Sequence, residues 1–531
     1  MNPLQRLRPA LMSLALASAM IGAPAVLMAQ DARALVIARD MDVNSLDPQR
    51  GWCDTCQIYN TSVYEQLTTL DKDNKLIPLL ATSWEGNADQ SVFTFKLDPA
   101  AKFSDGSAVE AKDVKWSFER LKNLKADASF LTDSVTSIET PDAGTVVFTL
   151  TGPNSEFPGV AAAPYLAILN SDVLIEQGAV ADATAVDADK GETWLMANSA
   201  GSGPFVLDTY EPNAELRLLR NDAYWRTAAG VPGVVFRQVK DAVSQAQMLQ
   251  SGTVDIAMQI DPETAKSLEG GEMKVETVPS YNFVYLALAP GAKSNTIKMT
   301  PVVREAISLA IDRQGVIDFT LGGAGQLIAA PIPLGFPGGA GHTVDAYNPE
   351  RAKELLKQEG LEAGFTLDAT YPDMNVYGVD FSVMMQKVQS DLAKVGIDAK
   401  LAPVPLANWR ELANGGGIAL TAVFFAPDFY GTSQYVDVFG LGEGSTWARR
   451  AGAEADPSIL NAKTGEIKAQ ALAAATPEAA DKLWFEAGEM MVKDRIILPM
   501  VSPDLVLAYG PTIKGVRYSA CCNLPLAEIT N

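Results

Sequence analysis

Apolar positions along this chain follow two alternating periods. Short runs that alternate, or that are continuously apolar and β-branched, predict strands at Leu35–Ala38, Phe93–Leu97, Val146–Leu150, Val254–Ala257 and Ala399–Ala402. Phe205–Leu207 and Leu216–Leu219 flank a turn at Glu211-Pro-Asn213 and predict a hairpin. Between these runs the period lengthens to that of a helix. Val109, Val114, Phe118 and Leu121 predict a helix over Ser107–Lys122, with Glu110 and Asp113 in the first turn, where the helix dipole favours anions. Ala242–Ser251 stops at Gly252, and Pro301–Phe319 reads as two helices around Gly315. Asn348 caps a helix that runs to Lys357 and stops at Gly360, and Gly396 closes Val383–Lys394. Ile467–Val492 splits where Thr476 caps a helix opening at Pro477. Strands alternating with helices predict an α/β chain, and its Gly- and Pro-rich stretch Leu321–Gly341 has the length of a functional loop.

The first 30 residues break this pattern. Arg6 and Arg8 precede an apolar run from Ala10 to Met28, followed by the small residues Ala25 and Ala29 and the polar pair Gln30–Asp31. This is the layout of a cleaved secretory signal peptide over residues 1–29, and Pro24 disfavours the competing reading of a membrane-spanning helix. No cysteine stands at the boundary, so a lipid anchor is not expected. Export favours disulfides for the four cysteines, Cys53, Cys56, Cys521 and Cys522, over a zinc site. Cys53-x-x-Cys56 opens no evident amphipathic helix, which argues against a thioredoxin-like redox role.

Composition narrows the function. With 47 % hydrophobic and 20 % charged residues, the 531-residue chain has enough apolar material for packed cores. A net charge of −22 excludes the basic surface on which nucleic-acid binding depends. Catalytic signatures are missing. His342 is the single histidine, and no G-x-S-x-G or P-loop occurs. Lys463-Thr464-Gly465 reads as a polar turn, and Lys75 and Leu76 occupy the positions that a calcium loop beginning at Asp71 reserves for an oxygen ligand and a glycine.

A more informative stretch lies late in the chain. Trp409, Phe424, Phe425, Phe429, Tyr430, Tyr435, Phe439 and Trp447 crowd together among glycines and polar residues, as either a ligand cleft or an aromatic core requires. Asp428 follows the apolar run Ala422–Ala426 and Pro427, at the end of a predicted strand. A carboxylate buried there needs a partner, either a ligand ammonium group or a protein cation such as Arg449 or Arg450.

Several motifs, in order and spacing, resemble the peptide/nickel-type (dipeptide/oligopeptide) solute-binding proteins of ABC importers. They are Val63-Tyr-Glu-Gln-Leu67, Asn74-Lys-Leu-Ile-Pro78, Ala81-Thr-Ser-Trp-Glu85, Lys102-Phe-Ser-Asp-Gly106, Gly201-Ser-Gly-Pro-Phe205, Leu219-Arg-Asn-Asp-Ala-Tyr-Trp225, Gln250-Ser-Gly-Thr-Val-Asp-Ile256 and Val303-Arg-Glu-Ala-Ile-Ser-Leu-Ala-Ile-Asp-Arg313.

The resemblance implies a two-lobe periplasmic-binding-protein fold with an extra inserted domain and two hinge crossings. Lobe I would comprise 30–60, 191–285 and 501–531, the inserted domain 61–190, and lobe II 286–500. It implies a monomeric periplasmic receptor, with neither cofactor nor catalysis, that delivers a di- or oligopeptide or similar amine-bearing solute to a membrane permease. An oligosaccharide, opine or other modified amino acid is the alternative ligand, and a secreted hydrolase the remote alternative. In the segment Pro427-Asp428-Phe-Tyr430 the resemblance makes Asp428 the grip on the α-amino group. The family often continues with Asp-Pro, where this chain has Gly431 and Thr432. Phe425, Tyr430, Thr432, Trp52, Tyr281, Asn282 and Trp447 are the other implied cleft residues. If both cysteine pairs belong to lobe I, they are expected either to cross-link the chain ends or to form two local bridges.

Overall fold

The computed structural model describes residues 33–520 and 524–531. The expected signal peptide, residues 1–29, and the pair Cys521–Cys522 therefore lie outside the described residues.

The strand Leu35–Arg39 sits inside a sheet, pairing in parallel with Gly233–Gln238 on one side and Ile256–Ala257 on the other. Its unbroken apolar run is what a strand covered on both faces requires, and Leu35, Ile37 and Ala38 have no exposure. The sheet has seven strands, from the hairpin of Phe205–Glu211 and Glu215–Arg220 at one edge to Asp504–Tyr509 and Lys274–Pro279 at the other. A second, six-stranded sheet centres on Phe283–Leu288, flanked by Ile497–Ser502 and Leu420–Phe425. Every residue of that central strand is buried.

The chain passes between the two large sheets twice. Ser280–Asn282 joins Lys274–Pro279 to Phe283–Leu288, and Pro503 joins Ile497–Ser502 to Asp504–Tyr509. The crossings are laced together: Ser280 Oγ donates to the Pro503 carbonyl at 2.6 Å, and Ser502 Oγ to the Asn282 carbonyl at 2.8 Å. The molecule is thus a two-lobe α/β protein with two adjacent crossings. An extra antiparallel sheet of four strands, in the order Ala81–Gly86, Val92–Leu97, Thr145–Leu150, Val135–Asp142, carries its own core of Phe93, Phe95, Phe118, Phe148 and Phe157.

Several boundaries differ from the periodicity. The helix expected over Ser107–Lys122 is Ala111–Leu124, because Glu110 is extended and forms a capping box with Asp113. The break in Pro301–Phe319 falls at Ile311–Asp312 rather than Gly315, since the Asp312 side chain accepts from the Gly315 N–H at 3.0 Å and starts the second helix. Lys463-Thr464-Gly465 lies in the first turn of the helix Ala462–Leu472 and not in a free turn. Cys53-x-x-Cys56 does open a helix. Cys53 is the N-cap of Asp54–Val63 and is bonded to Cys56. A first helical turn brings residues three apart onto one face, so the bridge closes locally and these two sulfurs are not available to the other pair.

One ion cluster ties the turn after the first strand to the extra sheet's helix. Arg120, without exposure, grips Asp47 at 2.6 and 3.0 Å and Asp189 at 2.9 Å through two nitrogens, and bonds Gln49 at 3.0 Å. Burial alone would raise the Asp189 carboxyl, but the Arg120 guanidinium outweighs it and holds the group below its usual range. Its contribution is therefore present above the unfolded pKa near 3.8 and lost as pH falls through the depressed folded value. Replacing Arg120 by Met strands two buried carboxylates and should cost about 3–5 kcal/mol in urea denaturation at neutral pH. An unchanged midpoint would show that the cluster does not hold the two parts together.

Candidate functional site

The strand Leu420–Phe425 ends ahead of Pro427, which has no N–H to continue a ladder, and the segment 428–432 then turns into the helix Ser433–Phe439. Gln434 shapes this turn. Its amide nitrogen donates to the carbonyls of Phe429 and Gly431, both at 2.7 Å, and its oxygen accepts from the Asp428 N–H at 2.9 Å.

The segment is held from the opposite side. Glu156, at the end of the extra domain's strand region, accepts from the N–H groups of Thr432 at 2.7 Å and Ser433 at 3.0 Å. It thus caps a helix 277 residues away in sequence. Burial raises the Glu156 carboxyl, opposed by these hydrogen bonds and by the Lys468 charge. Two glycines permit the approach. A Cβ on Gly159 would stand 2.3 Å from the Tyr430 carbonyl oxygen, and one on Gly431 would stand 2.7 Å from a Glu156 oxygen. The glycine at 431, where the resemblance leads one to expect aspartate, leaves room for the Glu156 carboxylate. Phe429 crosses the same way and is buried in the extra domain's core. Ser155 N–H donates to the Leu472 carbonyl at 2.8 Å, and the Tyr377 hydroxyl donates to the buried Asp54. The lobes meet in a closed arrangement.

A cavity of about 610 Å³ remains between them. Asp428 lines it beside Phe130, Phe425, Phe429, Asn154 and Ser433. No side chain among the described residues bonds or pairs with the Asp428 carboxylate, and withdrawal from water pushes its pKa up to about 7. Arg450 is engaged elsewhere: it bonds Asn414 and lies over the rings of Trp409 and Trp447. Trp52 stacks on Tyr165 at 4.5 Å and meets Phe130 edge-on at 6.0 Å, so it backs the cavity wall.

The other expected residues scatter around this point. Tyr430 donates to the Gly335 carbonyl at 3.2 Å and packs on Phe336, and Thr432 donates to the Pro337 carbonyl at 2.8 Å. Both tether the Gly- and Pro-rich loop. Tyr281, at φ 61°, accepts from Asn74 and touches Phe336, while Asn282 is buried in the crossing. Trp447 is not a cavity wall: it is 2 % exposed and donates to the Tyr285 hydroxyl at 3.0 Å inside the lobe's aromatic core. Tyr435 and Phe439 are likewise core residues, so much of the aromatic crowding is packing. His342 is engaged through both ring nitrogens. Its ring nitrogens face Glu489 at 2.6 Å and the Gly338 carbonyl at 2.7 Å. Among the described residues no group of three or more His, Cys, Asp or Glu side chains is placed to hold a metal ion, and no helix is long and apolar enough to cross a membrane. The sequence does not single out Glu156, Phe130 or Gln434: Glu156 bonds across the cleft, Phe130 lines the cavity between the lobes, and Gln434 ties a turn whose course only the fold sets.

Comparison with known proteins places this geometry. The family model for bacterial extracellular solute-binding proteins, family 5 Middle, matches residues 75–447. The probable D,D-dipeptide-binding periplasmic protein DdpA of Escherichia coli K12 is 27 % identical over 521 residues, covering 96 % of each chain. The glutathione-binding protein GsiB of Pectobacterium atrosepticum is 28 % identical over 413 residues, 76 % of this chain and 75 % of its own. The fold matches the periplasmic binding protein DppA of Helicobacter pylori, solved with the peptide STSA, with a TM-score of 0.75 at 22 % identity, over 94 % of this chain and 98 % of that one.

Two predictions follow from the charges. An Asp428 carboxyl raised to about 7 favours the folded state below the unfolded pKa of 3.8, and that advantage is lost as pH rises through 7. Asp428→Asn should therefore stabilise the ligand-free protein by about 2 kcal/mol or more at pH 8, with the gap closing as the pH is lowered toward 5, in urea denaturation. A gap independent of pH would contradict the raised pKa. Glu156→Ala leaves two N–H groups unpartnered and should weaken closure by about 2–3 kcal/mol, read as a larger radius of gyration in small-angle scattering of the ligand-free protein. An identical scattering curve would show that Glu156 does not latch the lobes.

Proposed function

The chain belongs to the bacterial extracellular solute-binding proteins of family 5, and from that premise we propose that it is the receptor of an ABC importer. It closes its two lobes on a di- or oligopeptide, or a like amine-bearing solute, and hands it to a membrane permease. In this reading residues 1–29 direct export to the periplasm. The first lobe comprises 30–60, 191–285 and 501–531, the extra domain 61–190 and the second lobe 286–500. The protein works by capture and release, without catalysis and as a monomer.

The observation that carries the reading is the Asp428 carboxylate, unpartnered among the described residues, lining a cavity between the lobes. A deeply set charge without a counter-charge is costly unless a ligand supplies one, and an ammonium group does so with charge-assisted hydrogen bonds. The ligands in the relatives' names, a D,D-dipeptide, glutathione and a peptide, all carry an amino group. Phe425 supplies a cavity wall and Trp52 its backing. Tyr430 and Thr432 fix the loop beside the cavity, and Tyr281 and Asn282 belong to the crossing on which the lobes turn. Trp447 supports the second lobe from behind. Hinge closure of this kind needs only that the closed state be bound more tightly than the open one.

Calorimetry with trialanine and N-acetyl-trialanine tests the reading. Trialanine should bind and raise the melting temperature, acetylation should abolish the effect, and Asp428→Asn should weaken trialanine binding about 100-fold. Equal binding of the acetylated peptide, or wild-type affinity in the Asn variant, would refute the ammonium grip.

A further inference from the structure

Resting on the reading of Asp428 as an ammonium site, we propose that the solute this receptor takes is a net cation, carrying a further ammonium group beyond the one that Asp428 holds. The cavity at Asp428 adjoins a second one of about 550 Å³, and the two share Pro153, Asp437, Lys468 and Leu472 as lining. Asp428 and Asp133 line the first cavity, Asp437 both and Glu443 the second. Lys468 is the single cation lining either cavity among the described residues, and it is already bonded to Asp437. Residues 521–523, outside the described set, are Cys, Cys and Asn and bring no charge.

A zwitterionic ligand needs an anchor at each end. Here one ligand carboxylate can take Lys468 only by releasing Asp437, so a peptide's terminal carboxylate already uses the lining cation and any further ligand carboxylate has none. A second ammonium group gains from the same surroundings, since Asp437 and Glu443 lie along the path leading away from Asp428. The walls agree with the charges. Phe130 and Phe425 line the cavity beside Asp428, and aromatic faces attract cations. The chain's net charge of −22 draws cations toward the cleft and repels anions. A basic peptide and a free oligoamine share this chemistry.

Calorimetric titration of the full mature chain with dilysine, dialanine, diglutamate and spermidine decides the matter. Dilysine should bind at least about tenfold tighter than dialanine, with diglutamate weakest, and the advantage should shrink as salt is raised. Asp437→Asn, which frees Lys468, should shift the preference toward diglutamate. Spermidine binding as tightly as dilysine supports a cation recognised by its ammonium groups alone; dilysine without spermidine supports a cationic peptide. Dialanine or diglutamate binding as tightly as dilysine would overturn the proposal while leaving the ammonium grip standing. If dilysine, dialanine and spermidine all fail to bind, or N-acetylation is without effect, the underlying reading of Asp428 falls as well.

Discussion

A charge taken out of water must be met by an opposite charge or by a full set of hydrogen bonds, and the organisation of this protein follows from how three such groups are treated. Arg120 is met inside the molecule by Asp47, Asp189 and Gln49, and the match fastens the extra domain's helix to the first lobe. Glu156 is met by two backbone N–H groups of the opposite lobe, and so joins the halves only when they are closed. Asp428 is met by no side chain among the described residues, and its carboxylate lines a cavity. The first arrangement fastens two parts of the frame, the second joins the lobes, and the third leaves a carboxylate on a cavity.

These arrangements constrain one another. The Asp428 backbone is fixed by Gln434, whose amide also holds Phe429 and Gly431. Gly431 is bare so that Glu156 can reach the start of the helix Ser433–Phe439. Phe429 leaves its own lobe to pack in the core of the extra domain. The Asp428 carboxylate therefore sits on the same short segment that Glu156 holds from across the cleft. Under the proposed reading, ligand capture and lobe closure would act on this one segment. The aromatic residues nearby divide accordingly: Phe425 and Phe130 face the cavity, while Tyr435, Phe439 and Trp447 fill the lobe behind it.

Much of the local structure was legible in the chain because it depends on neighbours close in sequence. Asn348, Thr476 and the glycines at 252, 360 and 396 mark helix ends through backbone groups three or four residues away. The unbroken apolar runs at Leu35–Ala38 and Ala422–Ala426 mark strands covered on both faces. Where boundaries moved, a side chain had won a local contest that periodicity does not see, as with Asp312 over Gly315 and Glu110 over Ser107. The helix opened by Cys53 was overlooked because its buried face combines Thr55, Asn60 and Ser62 with Ile58 and Val63, too polar a stripe to stand out.

The sequence by itself determined the α/β character, the family pattern in its motifs, and Asp428 as a carboxylate at a strand's end in need of a partner. Tertiary structure alone decided that no side chain among the described residues partners Asp428, that Trp447 is packed in the core, and that Glu156 holds the segment from across the cleft. The physical reason is distance along the chain. Hydrophobic period and capping act over a few residues, whereas solvation and charge pairing act through space, between groups such as Glu156 and Ser433 that lie 277 residues apart.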